Sequence, residues 1–284
     1  MKHAYLIMAH GEWGLLRTLI SCLDDPRNDI YVHIDAKVKD LPSLGTFEAG
    51  LTILEDRVDV HWGDLSVVEA EYRLFEAAAS AEQEYSYYHL LSGVDLPLKS
   101  QDYIHRLCAD GGRTEYIGFS TYDCASELRR KVQRWHLFPE DFKNSSAVRR
   151  ILRAGFIRIQ ELLHIERNRG EQLRKGTQWV SVTDGFVRMM IDAKPWVMKT
   201  FSHTFCPDEI YKQTLCWGSG FRQWIYDQYD EGNGCLRAIG WRNGELVDWA
   251  PGDYEALKCS SALFARKFNS KDMEFIRRIV ELSR

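Results

Sequence analysis

At 284 residues the chain is long enough for one sizeable hydrophobic core, and its 45% hydrophobic and 27% charged residues are ordinary for a globular protein. A net charge of −4 and a pI near 6.2 give no reason to expect nucleic acid as a partner. No window approaches the ~20 apolar residues that cross a bilayer. The six-residue apolar run Ala4–Ala9 is too short for a secretion signal, and the seven cysteines are scattered with no CxxC pair, which argues against a zinc site and a disulfide framework. A reducing cytoplasm is the expected compartment.

Strand character over 3–9 gives way to helical apolar spacing over 14–23. A buried strand is predicted at 29–35, closing on Asp35, and short strands at 51–55 and 58–62, the second ending on Trp62. Residues 66–80 read as an amphipathic helix with Ser66 as N-cap and Glu69 three positions later, a capping-box pattern. A further strand at 85–93 leads through Ser92 into a turn at Asp95, with a helix after it. Strands alternating with helices predict an α/β domain with a largely parallel sheet. Ligands of such sheets bind at the carboxyl ends of strands, where Asp35, Trp62, Ser92 and Asp95 all fall.

The stretch 129–175 is strongly basic and partly helical. Strand character returns at 177–183 and helical spacing at 184–193 and about 209–217. The turn EGNG (231–234), a strand at 236–241 and a helix from about Lys271 complete the chain. With no internal repeat, low-complexity tract or linker, one domain over 1–284 is the simplest count.

No GxGxxG, GxxxxGK, GxSxG or HExxH motif is present, so the common nucleotide and hydrolase fingerprints are missing. Asp-x-Asp is missing too, so a phosphate-handling enzyme built on this sequence must neutralise its leaving group with Lys or Arg. Arg266 and Lys267 in ARKF, and Arg237 in LRAIGW, are candidates, and each also reads as an ordinary surface cation. In TFCPDEIYKQT, Pro207 precedes the adjacent acids Asp208 and Glu209. Acids there stabilise a helix start by ~0.3–1 kcal/mol, and an adjacent carboxylate pair also suits a general base and its neighbour. Nine Trp and thirteen Tyr are many for this length, and their faces can serve as core or hold sugar rings.

Five blocks, HWGDLSVVEAEYRL, YYHLLSGVDLPLKS, GTQWVSVTDGFVRMMI, FCPDEIYKQT and LFARKF, resemble in order and spacing the core-2/I-branching β-1,6-N-acetylglucosaminyltransferase family, which also includes peptide O-xylosyltransferases. The resemblance runs from about Ala4 to Phe268. It implies an α/β GT-A type glycosyltransferase fold, a Rossmann-like mixed sheet flanked by helices, with a donor-binding half over about 1–120 and an acceptor and catalytic half over about 121–284. It also implies inverting transfer from a UDP-sugar co-substrate, with no cofactor and no metal ion, to a glycan or carrier-linked acceptor. The family's catalytic base maps onto Glu209, with Asp208 orienting or capping the turn. Its diphosphate cations map onto Lys267 and Arg237, with Arg266 alongside, and its uridine contact onto Asp35; Trp62, Ser92 and Asp95 line the donor pocket. On the acceptor side, Arg130, Lys131 and Arg134 fall in the expected region, and Trp179, Trp217, Trp241 and Trp249 are available to stack on sugar. The basic segment also suits an acidic polysaccharide, a phosphorylated lipid carrier or an anionic membrane surface.

Animal members carry a membrane anchor and disulfides. This chain starts almost at its first strand, which makes a bacterial, cytoplasmic version the expectation, free or peripheral to the inner face of the membrane. GlcNAc is the leading donor sugar and xylose the rival. From other classes, a catalytically silent glycan-binding protein and a metal-dependent nucleotidyl- or phosphotransferase are the alternatives.

Overall fold

The computed structural model describes residues 1–284. The first half alternates strand and helix: β1 (Lys2–Ala9), α1 (Trp13–Leu23), β2 (Asn28–Ile34), β3 (Gly50–Ile53), α2 (Ser66–Ala79), β4 (Tyr85–Ser92), a short β5 (Leu96–Pro97) and α3 (Gln101–Gly111). A helical stretch follows, with α4 (Ala125–Val132) and α5 (Ala147–Leu162), then β6 (Ser181–Thr183), α6 (Asp184–Asp192) and α7 (Lys194–Thr200). The remainder comprises α8 (Tyr211–Trp217), α9 (Glu231–Cys235), β7 (Arg237–Ile239), β8 (Trp241–Arg242), β9 (Glu245–Leu246), α10 (Tyr254–Lys258), β10 (Phe264–Arg266) and α11 (Met273–Glu281). None of the helices is long and apolar enough to cross a membrane.

The main sheet has the order β3-β2-β1-β4-β6, with the first four strands parallel and β6 antiparallel to β4. Both faces are covered, which is why β1 and β4 are continuous apolar runs rather than alternating ones. Tyr5 and Ile7 point into a core shared with α1, α3 and α11, whereas Ala4 and Leu6 point into a second core shared with α2, α6 and α8. A smaller sheet, β5-β10-β7, pairs β10 parallel to β7 and antiparallel to β5. It brings the ARKF block beside the loop after β4, where Phe268 N donates to Val94 O at 3.0 Å.

Beneath the carboxyl ends of the main sheet lies a buried polar knot. The Glu71 carboxylate of α2 accepts from Lys212 Nζ and Tyr211 Oη, both at 2.6 Å, and from Gln178 Nε2 at 2.8 Å. Glu71 and Lys212 are fully buried. Lys212 Nζ also donates to Asp208 O at 3.1 Å, so the knot holds the turn that carries Asp208 and Glu209.

Three local expectations are corrected. Residues 58–62 form no strand; Val58 O accepts from Ala36 N and Val58 N donates to the His33 ring, so these groups serve the loop after β2 instead of a ladder. Ser66 is not the N-cap of α2: its hydroxyl accepts from His61 N at 2.8 Å, and Leu65 takes the cap position without a side-chain bond. EGNG opens the short helix α9, capped by Asp230, whose side chain accepts from Asn233 N.

Removing one partner of a buried ion pair strands the other charge, at a cost of about 3–5 kcal/mol. Lys212→Met is expected to lose about that much in urea unfolding; a loss under about 1 kcal/mol would show that Tyr211 and Gln178 alone satisfy Glu71.

Candidate active site

Cys206, with φ at 52°, turns the chain into the single 3-10 turn Pro207–Glu209. Its amide donates to Gly63 O at 2.8 Å, and Glu209 O accepts from Gly176 N at 2.9 Å, so the turn is tied to two other loops. Gly176 allows that approach, because any Cβ there would overlap the Gly118 carbonyl oxygen.

The Glu209 carboxylate faces two lysines. Its Oε2 lies 3.6 Å from Lys131 Nζ on α4 and 3.9 Å from Lys175 Nζ. Glu127, one helical turn before Lys131, takes the closer contacts, 2.7 Å to Lys131 and 3.1 Å to Lys175. Lys175 also donates to Tyr122 Oη at 2.6 Å. The side chains of Glu209 and Glu127 are 34% and 31% exposed, whereas those of Lys131 and Lys175 are 13% and 14% exposed, so solvent or substrate reaches the two carboxylates, and of these Glu209 is the one the lysines hold less closely. Partial burial opposes ionisation of Glu127, but hydrogen bonds from the two lysines outweigh it and bring its pKa down to about 2. Burial likewise works against the charge on Lys131, yet Glu209 and Glu127 push its pKa above the usual lysine value. Glu127, Lys131 and Lys175 therefore stay charged across the physiological range.

A second constellation sits at the end of β4. Ser92 N donates to Asp95 Oδ2 at 2.9 Å, which closes the turn predicted there. Arg266 Nε lies 3.3 Å from Asp95 Oδ1, an ion pair without hydrogen-bond alignment, and its guanidinium covers the Trp179 ring at 4.1 Å. Burial raises the Asp95 pKa and lowers that of Arg266, and each opposes the shift in the other. Lys267, the next residue, is more open, with Nζ 3.6 Å from Asp248 Oδ1. Asp35, just past β2, accepts from the Lys37 amide at 2.9 Å and pairs with its ammonium at 3.1 Å. Trp62 is exposed and meets Phe205 edge-on at 5.5 Å, and Lys131 lies over the same Phe205 ring.

A model of the Core-2/I-Branching enzyme family matches residues 3–277, nearly the whole chain. The chain belongs to the core-2/I-branching enzyme family. It is a glycosyltransferase, and its mixed sheet flanked by helices is a GT-A-like fold. The family implies a UDP-sugar donor and a glycan acceptor in general terms. No curated protein matches the chain.

The arrangement gathers some of the residues singled out from sequence and sets others apart. Glu209, Lys131 and Trp62 converge around Phe205, and Ser92, Asp95, Arg266 and Trp179 around the end of β4. Arg237 does not face a phosphate position: it is 2% exposed, lies against Phe264, and donates to Cys235 O, Val180 O and Ser181 Oγ. Trp179 is buried under Arg266, and Trp217 is covered by Arg174 and Arg222, so neither ring is free to stack on sugar. Arg134 is buried against Glu166, whereas Arg130 is exposed on α4. Trp249 packs on the core with its indole N–H unpartnered, and Trp241 is exposed on β8.

Asp208 departs from the capping role as well. It is partly buried, with Oδ1 enclosed and without a hydrogen-bond partner, and neither its own turn nor α8 receives a side-chain cap. Burial, then the charges of Glu209 and Glu71, push its pKa up to about 7 against the pull of Lys212. Sequence reasoning missed Lys175, Glu127 and the Glu71–Lys212 pair. The four-residue spacing of Glu127 and Lys131 was the one local sign of any of these contacts.

A carboxyl whose pKa is raised on folding keeps a proton that the unfolded chain releases from about pH 4 upward. Its favourable contribution is present at low pH and lost as pH rises through about 7. Asp208→Asn removes that dependence. The wild type should therefore lose stability relative to the variant between about pH 4 and 8 in parallel denaturant titrations. A pH-independent difference would show that Asp208 is ionised throughout.

Proposed function

We propose that this glycosyltransferase is an inverting enzyme acting without a metal ion. It moves a sugar, GlcNAc ahead of xylose, from a UDP-sugar to a hydroxyl of a glycan or carrier-linked acceptor, within one domain spanning 1–284. The observation that carries this reading is the reachable carboxylate of Glu209, held on a turn that the buried Glu71–Lys212 knot fixes from below and that two lysines flank.

The chemistry is one in-line displacement. Glu209 takes the proton of the acceptor hydroxyl as that oxygen bonds to the anomeric carbon. The bond from that carbon to the diphosphate oxygen breaks, and UDP leaves with the electron pair. Fixed positive charge must already stand where negative charge gathers, because charges oriented in advance need no reorganisation during the reaction. Lys267 is the open cation for this role, and Arg266 supports it from its stack on Trp179. Arg237 acts from behind, tying β7 to the start of β6 through Val180 O and Ser181 Oγ rather than touching phosphate. Asp35 fits a ribose or uracil contact at the end of β2, and Trp62 offers an exposed ring beside the catalytic turn. Lys131 and Lys175 orient the Glu209 carboxylate, and the exposed Arg130 extends the cationic face toward the acceptor.

The test is slow hydrolysis of a panel of UDP-sugars in EDTA by wild type and Glu209→Gln. Loss of a general base typically costs 10²–10⁴-fold, so UDP release from the preferred donor should fall by about that factor while UDP affinity by calorimetry is retained. Equal release by both proteins would remove Glu209 from the role, and failure of the wild type to bind UDP would remove the donor assignment.

A further inference from the structure

α5 is attached to the body of the protein by one side only. Gln160 clamps the Trp135 backbone through both amide atoms, accepting from Trp135 N at 2.8 Å and donating to Trp135 O at 2.9 Å. Arg153 donates to Leu137 O and Phe138 O, and Ile157 is buried between these contacts. The opposite side is apolar and bare. Val148, Ile151, Leu152, Ile159, Leu162 and Leu163 are between 51% and 77% exposed. At 100° per residue these six fall within a stripe roughly 120° wide. Isolated exposed aliphatics need no explanation, but a contiguous stripe on a rigidly anchored helix marks an interaction surface.

The charge around the stripe indicates what covers it. Arg149 and Arg158 border it on either side, Arg150 lies on the attached side at the angle of Ile157, and Glu161 is the one acid within α5. Over 129–175 there are thirteen Lys and Arg against five Asp and Glu, in a chain whose net charge is −4. A second copy of the chain would bring the same arginines against these. An apolar stripe bordered by arginines instead matches a lipid surface with anionic headgroups, with the aliphatic side chains in the acyl boundary and the guanidiniums among the phosphates.

We propose that α5 docks the enzyme in-plane on an anionic lipid surface through the Val148–Leu163 stripe and its bordering arginines. This surface is separate from the donor and base residues and does not depend on their assignment.

Co-sedimentation with vesicles of phosphatidylglycerol and phosphatidylcholine, compared with vesicles of phosphatidylcholine alone, tests it. Wild type should bind the anionic vesicles, bind the zwitterionic ones at least tenfold less, and be released as salt rises. Ile151→Ser with Ile159→Ser, and separately Arg149→Gln with Arg158→Gln, should each weaken binding at least tenfold, with thermal unfolding little changed because all four side chains are exposed. Absence of wild-type binding to anionic vesicles would overturn the proposal. So would a dimer in light scattering that the Ile151→Ser, Ile159→Ser variant dissociates, since the stripe would then be the contact between copies.

Discussion

The carboxylate of Glu71 is the point on which the arrangement of the site depends. An ionised carboxylate and an ammonium taken out of water cost several kcal/mol each unless every lone pair and proton finds a partner. Glu71 meets that demand with Lys212, Tyr211 and Gln178, and Lys212 gives a further bond to Asp208 O. These residues come from three distant blocks of sequence: the helix after HWGDLS, the GTQW segment and the PDEIYKQT segment. Their convergence on one buried group fixes α2, α8 and the turn before α8 relative to one another. The Glu209 carboxylate thereby keeps its place on a loop that would otherwise be free to move.

Above that foundation the charges divide by how closely they are paired. Glu127, Lys131 and Lys175 hold one another at the edge of the site, and Glu209 shares the lysines at longer distance while remaining open. Asp208, one residue away, is partly buried, and its pKa is pushed up by that burial and by the charges of Glu209 and Glu71. On the far side of Asp208, Arg266 is spent on Asp95 and Trp179, which leaves Lys267 as the open cation of the ARKF block.

Much of the fold was legible because both faces of the sheet are covered, so β1, β2 and β4 stand out as continuous apolar runs. Residues 58–62 alternate apolar and polar as a half-buried strand would, but they lie beyond the sheet, and the loop after β2 and the His33 ring take the backbone groups of Val58, a contact no local pattern encodes. At the site, residue type was legible and orientation was not. Trp179, Trp217 and Arg237 were reasonable candidates for sugar or phosphate, yet arginines close over the two rings, and backbone carbonyls with the Ser181 hydroxyl capture the guanidinium, all through partners distant in sequence. Lys175 sits immediately before the GTQW block with no pattern of its own, and only the tertiary approach of Gly176 to Glu209 gives it a role. The basic character of 129–175 was plain in composition, whereas the apolar stripe of α5 emerged only once the anchored side of that helix was known.

The central claim is a single displacement driven by a carboxylate base and fixed cations. Proton NMR of the first product formed from a UDP-α-linked sugar in the presence of EDTA tests it most directly. The account predicts a β-anomeric product at undiminished rate. An α-anomeric product, or turnover that begins only after a divalent ion is restored, would contradict it.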